Sequence, residues 1–384
     1  MSQLDFESIA PYTDEEAVKA FAALSAHPLV PEISKHMFPE MPETFLRDAL
    51  LGIKSIDEFQ ILVMSKAVEW VISTTMKDFT YDEIENLKEM KGRFLAMSNH
   101  RDIILDPALT QLLLYRSGIQ RTEIAVGDNL LFNKEIEMLI RSNRMIRVIR
   151  GISSRELYLR SMSLSAYIRN SIVSDRCSVW IAQRQGRTKD GFDTTEQGLL
   201  KMLDMSGNGS FVENFMELNI VPLSISYEYE PCDILKAREI LISRTQKYVK
   251  ASREDLLSIM WGLKQQKGEV HLNVGRPLTE EEIREASMCA HNDRYQAIRH
   301  AVDRRIVEGY RLSKTNYMGY DLANGTDRYA EMYSPEDLEQ FRDYTESQLD
   351  KMEKSLDRDS LRDIFLRIYG NPVQSRENLV SGQF

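Results

Sequence analysis

From about residue 91 the chain alternates short apolar runs of β type with amphipathic stretches of helical period. This alternation narrows the choice of fold more than any other feature. The runs are Phe94–Ser98, Glu123–Val126, Ile146–Ile149, Ser178–Ala182, Ile220–Tyr227 and Glu269–Val274. Helical patterns at 130–141, 155–173, 195–205 and 234–249 lie between them. Apolar runs too short to be buried helices, each followed by a helix, predict an α/β fold with a mixed, largely parallel sheet flanked by helices. Such sheets bind ligands just beyond their strand ends. Before residue 91 the chain reads as helical. Thr13-Asp14-Glu15-Glu16 has the form of a helix start, and Ile53–Met76 has apolar residues at helical spacing. After residue 278 it turns helical again, with a capping signal at Thr279–Glu282 and an amphipathic, charge-dense segment at 334–369. The expected organisation is an N-terminal helical region (1–90), an α/β catalytic domain (91–278) and a C-terminal helical extension (279–384).

The composition bounds the class of function. A net charge of −10 argues against nucleic acid as the main partner. No apolar stretch reaches the roughly 18 residues needed to cross a bilayer, and the first residues lack the basic and apolar regions of a signal peptide. The expectation is a cytoplasmic protein with peripheral contact at the inner face of the membrane. For that contact the apolar stretch 59–76 is a better candidate than the acidic 334–369, although a core helix is the plainer reading of 59–76. Cys177, Cys232 and Cys289 lie far apart with no C-x-x-C spacing, which fits a reducing compartment and three small buried side chains. The histidines show no metal-ligand spacing, so no metal and no cofactor are expected.

The chemistry concentrates at Phe94–Pro107, FLAMSNHRDIILDP. An apolar run delivers Asn99-His100-Arg101 to a loop, and acids follow at Asp102 and Asp106. A histidine with a carboxylate on one ring nitrogen is a general base: the carboxylate fixes the tautomer and stabilises the imidazolium that forms. His100-Arg101-Asp102 also matches the start of a protein-kinase catalytic loop, but that pattern needs Asn five positions after the acid, and Pro107 stands there. The second feature is Met145–Gly151, a strand that ends in Arg150 ahead of a helix start at Ser153. The third is a strand that empties into Gln183–Gly191, a loop with cations at Arg184, Arg187 and Lys189 and glycines at 186 and 191. Guanidinium groups suit phosphate, and glycines let backbone amides approach an anion. The fourth is Ile220–Glu228, a strand with Pro222 near its start.

Taken in order, these four pieces resemble the glycerolipid acyltransferase family, the glycerol-3-phosphate and 1-acylglycerol-3-phosphate O-acyltransferases. Asn99-His100 with its downstream acid is similar to the first family block, Arg150 to the second, Gln185-Gly186-Arg187 to the third and Val221-Pro222 to the fourth. Gly275-Arg276-Pro277 is similar to the end of the catalytic domain. The resemblance covers roughly residues 91–278. It implies acyl transfer from a thioester, acyl-CoA or acyl carrier protein, to a hydroxyl of glycerol-3-phosphate or a lysolipid. His100 would be the base, Asp106 or Asp102 its orienting acid, and Asn99, Arg101, Arg150, Arg184, Gln185, Gly186, Arg187 and Lys189 would contact substrate. The sequence departs from the family at two places. Four residues after His100 lead to Leu105, with Asp106 one position late and Asp102 three early. If Asp102 caps the helix, Asp106 is left to face the imidazole. Gln185 stands where the family has Glu, which bears on the acceptor and keeps open an aminolipid acceptor. The rival from another class is a catalytically weak lipid-binding protein.

Overall fold

A computed structural model describes residues 6–131, 133–149, 153–251 and 253–383, without the side chain of Ser154. Seven strands form one sheet: β1 (Met76–Asp82), β2 (Leu95–Ser98), β3 (Glu123–Gly127), β4 (Met145–Val148), β5 (Val179–Ala182), β6 (Ile220–Tyr227) and β7 (Gly268–Val274). Their order is β1-β7-β6-β2-β5-β3-β4. Only the β6–β7 pair is antiparallel. The fold is therefore α/β, with a mixed, largely parallel sheet flanked by helices. The central strands are buried on both faces, as helical cover on both sides requires.

Helices α1 (Asp14–Ser25), α2 (Val30–Met37), α3 (Phe45–Gly52) and α4 (Ser65–Thr75) precede the sheet, with shorter helical turns at Ile56–Phe59 and Gln60–Met64 leading into α4. Thr13 caps α1 in a reciprocal box with Glu16, as the sequence indicated. The 59–76 stretch is a core element: Phe59, Val63, Val68 and Val71 are buried. The helical reading of 1–90 fails at its end, because Met76–Asp82 is β1, paired in parallel with β7. β1 is an edge strand with Lys77, Asp78, Tyr81 and Asp82 exposed and an irregularity between residues 76 and 78. Charge of this kind blunts a sheet edge and also erases the period-two signal.

Between the strands run α5 (Leu105–Arg116), α6 (Lys134–Arg141), α7 (Ser154–Val173), α8 (Gln197–Asp204), α9 (Asp233–Ser243) and α10 (Glu254–Lys264). The C-terminal part is α11 (Glu280–Met288), α12 (Asp293–Glu308), α13 (Lys314–Asn324), α14 (Pro335–Leu349) and α15 (Arg358–Val380). The last three pack on α9 through Ile234, Met318, Phe341, Leu361 and Phe365. Gly191, in the basic loop, has φ +85°, and a Cβ there would lie 2.5 Å from the Ile368 carbonyl oxygen of α15. That close approach locks the loop to the C-terminal helices. Cys177 and Cys232 are buried, but Cys289 is exposed, contrary to the expectation for all three. It follows the last turn of a short helix at the surface, where an isolated small apolar residue is ordinary.

Candidate active site

The C-terminal ends of β2, β3, β5 and β6 all reach the same edge of the sheet, because these strands run parallel. Beyond β2 the chain turns through Asn99 and His100. His100 Nδ1 lies 2.9 Å from Asp106 Oδ2. The same oxygen accepts the backbone N–H of Arg101 at 2.6 Å and of Asp102 at 2.9 Å, and the other oxygen accepts the Tyr227 hydroxyl at 2.8 Å. Four donors converge on Asp106, so it accepts throughout, and His100 donates its Nδ1–H. Nε2 is then the ring nitrogen left for the cleft that His100 lines. Burial and the Asp106 carboxylate push the Tyr227 hydroxyl well above its ordinary range, which keeps it a donor.

Asp102 does not meet the imidazole. Its Oδ1 accepts the N–H of Ile104 at 2.9 Å and of Leu105 at 2.8 Å, satisfying donors at the start of α5. Its other oxygen faces Gly262 of α10, where a Cβ would come within 2.4 Å. Asp102 is thus occupied by backbone donors at the helix start, and Asp106, in the first turn of α5, carries the contact with the imidazole.

Two residues placed at the substrate by their motif position have other partners. Asn99 is fully buried; its amide donates to Asp193 and to the Ile225 carbonyl and accepts the Ile225 N–H, standing in for backbone between β2 and β6. Arg101 is buried against Asp193, at 2.6 Å, and Glu230, at 3.3 Å. Neither side chain reaches the cleft, because each satisfies its polar atoms inside the protein. Lys189 lines the cleft but is paired with Glu239. Arg150 lies outside the described residues.

Asp193 is the hub that the motifs did not reveal. It accepts from Asn99, Arg101, Thr188 and Tyr310. Burial works against its ionisation, but Arg101 beside it, with hydrogen bonds from Thr188, Asn99 and Tyr310, holds its carboxyl below the usual range. The His100 carbonyl accepts the Thr188 N–H at 2.7 Å, and Lys236 Nζ donates to the Arg101 carbonyl at 2.8 Å. The base loop, the basic loop and the C-terminal helices are thus tied to one carboxylate. No local pattern marks Asp193, Glu230 or Lys236, since their partners are distant in sequence.

His100, Trp180, Arg184, Gly186, Arg187, Lys189, Lys250 and Asp255 surround the cleft, about 730 Å³ of empty space partly open to solvent. Among the described residues, Arg184 Nε and Arg187 Nη1 are buried and have no hydrogen-bond partner. Burial opposes the Arg187 charge, yet Cys232, Asp102 and Asp255 nearby raise its pKa above the usual guanidinium value. Unpartnered, permanently charged donors in a cleft suit an anion. Gln185 is exposed and lines a neighbouring hollow with Arg147, Arg184 and Glu196. On the other side the cleft shares Ile103, Pro107, Ile124, Val126 and Leu130 with a second cavity, walled mainly by apolar side chains such as Met64, Val68, Leu112 and Ile140. Among the described residues no group of His, Cys, Asp or Glu has the arrangement of a metal site.

No family model matches the chain, and no curated protein matches it. Among solved structures it is similar to the 1-acyl-sn-glycerophosphate (LPA) acyltransferase PlsC from Thermotoga maritima. The TM-score is 0.41 at 13% identity, over 78% of this chain and 98% of that one. The chemistry rests on the site itself.

Proposed function

We propose that this chain is an O-acyltransferase that moves an acyl group from a thioester, acyl-CoA or acyl carrier protein, to a hydroxyl of a phosphate-bearing acceptor, glycerol-3-phosphate or a lysophospholipid. The observation that carries the reading is that His100, held by Asp106, and two arginines with unpartnered donors line one cleft, which shares the wall of Ile103, Pro107, Ile124, Val126 and Leu130 with an apolar cavity. The acceptor's phosphate lies against Arg184 and Arg187, with Gly186 allowing the loop to approach. Its hydroxyl reaches His100 Nε2, which takes the proton as the oxygen attacks the thioester carbonyl. The C–S bond then breaks as the ester forms, and the thiolate leaves with the proton that His100 returns. Asp106 stabilises the imidazolium between these steps. General base catalysis of this kind contributes roughly 10²- to 10⁴-fold, and holding both substrates together supplies much of the rest. The acyl chain occupies the apolar cavity, whose empty space, partly open to solvent, is about 1120 Å³.

The test is thiol release from acyl-CoA or acyl carrier protein with glycerol-3-phosphate, lysophosphatidate or no acceptor, with the ester product identified. Acceptor-dependent release supports the reading. Release that ignores the acceptor refutes it, and lipid binding without turnover favours the lipid-binding alternative. Arg187→Met is expected to raise the acceptor KM at least tenfold, on the order of the strength of a charge-assisted hydrogen bond.

A further inference from the structure

The segment before α10 and α10 itself carry a surface that the catalytic reading leaves unused. Residues 244–264 contain five cations, Arg244, Lys247, Lys250, Arg253 and Lys264, against two acids, Glu254 and Asp255, in a chain whose net charge is −10. Both acids are engaged locally: Asp255 accepts from Lys250 and Asn129, and Glu254 accepts the Ala251 N–H. Arg244, Lys247, Arg253 and Lys264 are exposed. Among them stand apolar side chains open to water: Val249 at 79%, Leu257 at 65% and Met260 at 44% exposure. The helix divides its faces. Ser258 and Gly262 are buried against Cys232 and Asp102, and Leu256 and Ile259 line the apolar cavity. Leu257, Met260 and Lys264 face out. Tyr115 and Leu139, both exposed, belong to the wall of the same cavity.

We propose that α10 and the basic segment preceding it dock on an anionic lipid bilayer, with the cations on headgroups and Val249, Leu257 and Met260 in the interface. This inference deepens the acyl-transfer reading and rests on it for its purpose, since docking there brings the cavity wall formed by Leu256 and Ile259 to the lipid. An interleaved set of cations and apolar side chains suits a bilayer surface, where both are satisfied at once. An acidic protein partner would engage the cations and leave the apolar set in water. No helix among the described residues is long and apolar enough to cross a membrane, so the contact is at the surface.

The test is flotation of the full chain with vesicles of phosphatidylcholine alone and with added phosphatidylglycerol. Wild-type protein is expected to float with the anionic vesicles, less so as salt is raised. K247E/R253E is expected to weaken this by at least tenfold, since each cation near the surface contributes roughly fivefold. L257E/M260E is expected to abolish it, whereas L29E/I33E, at exposed positions just before and on α2, leaves it intact. All three variants should release thiol at the wild-type rate with glycerol-3-phosphate and a short, water-soluble acyl-CoA, which also shows that they are folded. No vesicle binding by the wild type, loss only in L29E/I33E, or binding of the acidic carrier protein alone through Lys247 and Arg253 overturns the inference. Flotation through α10 without any thioester turnover would sink the acyl-transfer reading and leave the docking surface standing.

Discussion

Asp193→Asn keeps the side-chain volume and removes one charge, which makes it a sharp probe of how the site is held. In the wild type, Asp193 Oδ2 accepts from Asn99, Tyr310 and two nitrogens of Arg101, and Oδ1 accepts from Thr188. An amide must turn its NH₂ toward one of these donor sets. Arg101 also loses its nearer counter-charge and keeps only Glu230 at 3.3 Å. Breaking one side of a buried ion pair costs about 3–5 kcal/mol. The remaining Glu230 contact places the expected loss near the lower end, about 3 kcal/mol. Denaturant unfolding at pH 7 measures it. Arg101→Met in the same chain removes the stranded charge, so the double variant should be about 1–3 kcal/mol more stable than the sum of the two single losses. The pH dependence adds a check. Asp193 is depressed in the folded state, so its contribution is present above the ordinary value of 3.8 and disappears as pH falls through the lower folded value. The variant lacks that component. A loss under about 1 kcal/mol, or strict additivity with Arg101→Met, would show that Asp193 does not hold the two loops together.

Other consequences are open to direct measurement. Lys267 is fully buried, its ammonium donates to Thr75 Oγ1 and the Gln265 carbonyl, and burial lowers its pKa to about 8 from an ordinary 10.5. Below about pH 8 it is charged in both states. Above that the folded protein releases a proton the unfolded chain keeps, so stability should rise with pH toward 10.5, and Lys267→Met should flatten the rise. Ala108→Phe projects a ring into the apolar cavity and should shift acyl preference to shorter chains, read from product analysis of a mixed acyl-CoA pool; an unchanged profile would remove that cavity from the acyl site. Gly262→Ala puts a methyl where Asp102 Oδ2 sits, which should displace the α5 cap and lower stability by about 1–3 kcal/mol in thermal unfolding.

What could be read from the sequence divides along physical lines. The central strands β2, β5 and β6 announced themselves as apolar runs because they are buried on both faces, and the capping boxes at Thr13 and Thr279 were local signals. β1 was hidden because an edge strand carries charge. The choice between Asp102 and Asp106 was poised on capping chemistry, and the geometry gives the backbone donors to Asp102 and the imidazole to Asp106. Asn99 and Arg101 sit in the motif beside His100, but whether such side chains face substrate or interior depends on Asp193 and Glu230, far along the chain. Lys189 is likewise engaged by a residue of α9, Glu239. Local sequence carries the strands, caps and charge of a loop; it does not carry which charges find each other across the fold.

The central claim is that His100, oriented by Asp106, deprotonates the acceptor hydroxyl. Acceptor-dependent thiol release in His100→Ala and Asp106→Asn, each with its unfolding curve, tests it most directly. Expected is a kcat lower by roughly 10²- to 10⁴-fold in His100→Ala, with acceptor KM and fold retained, and a large loss in Asp106→Asn. Release that persists at the wild-type rate in His100→Ala would contradict it.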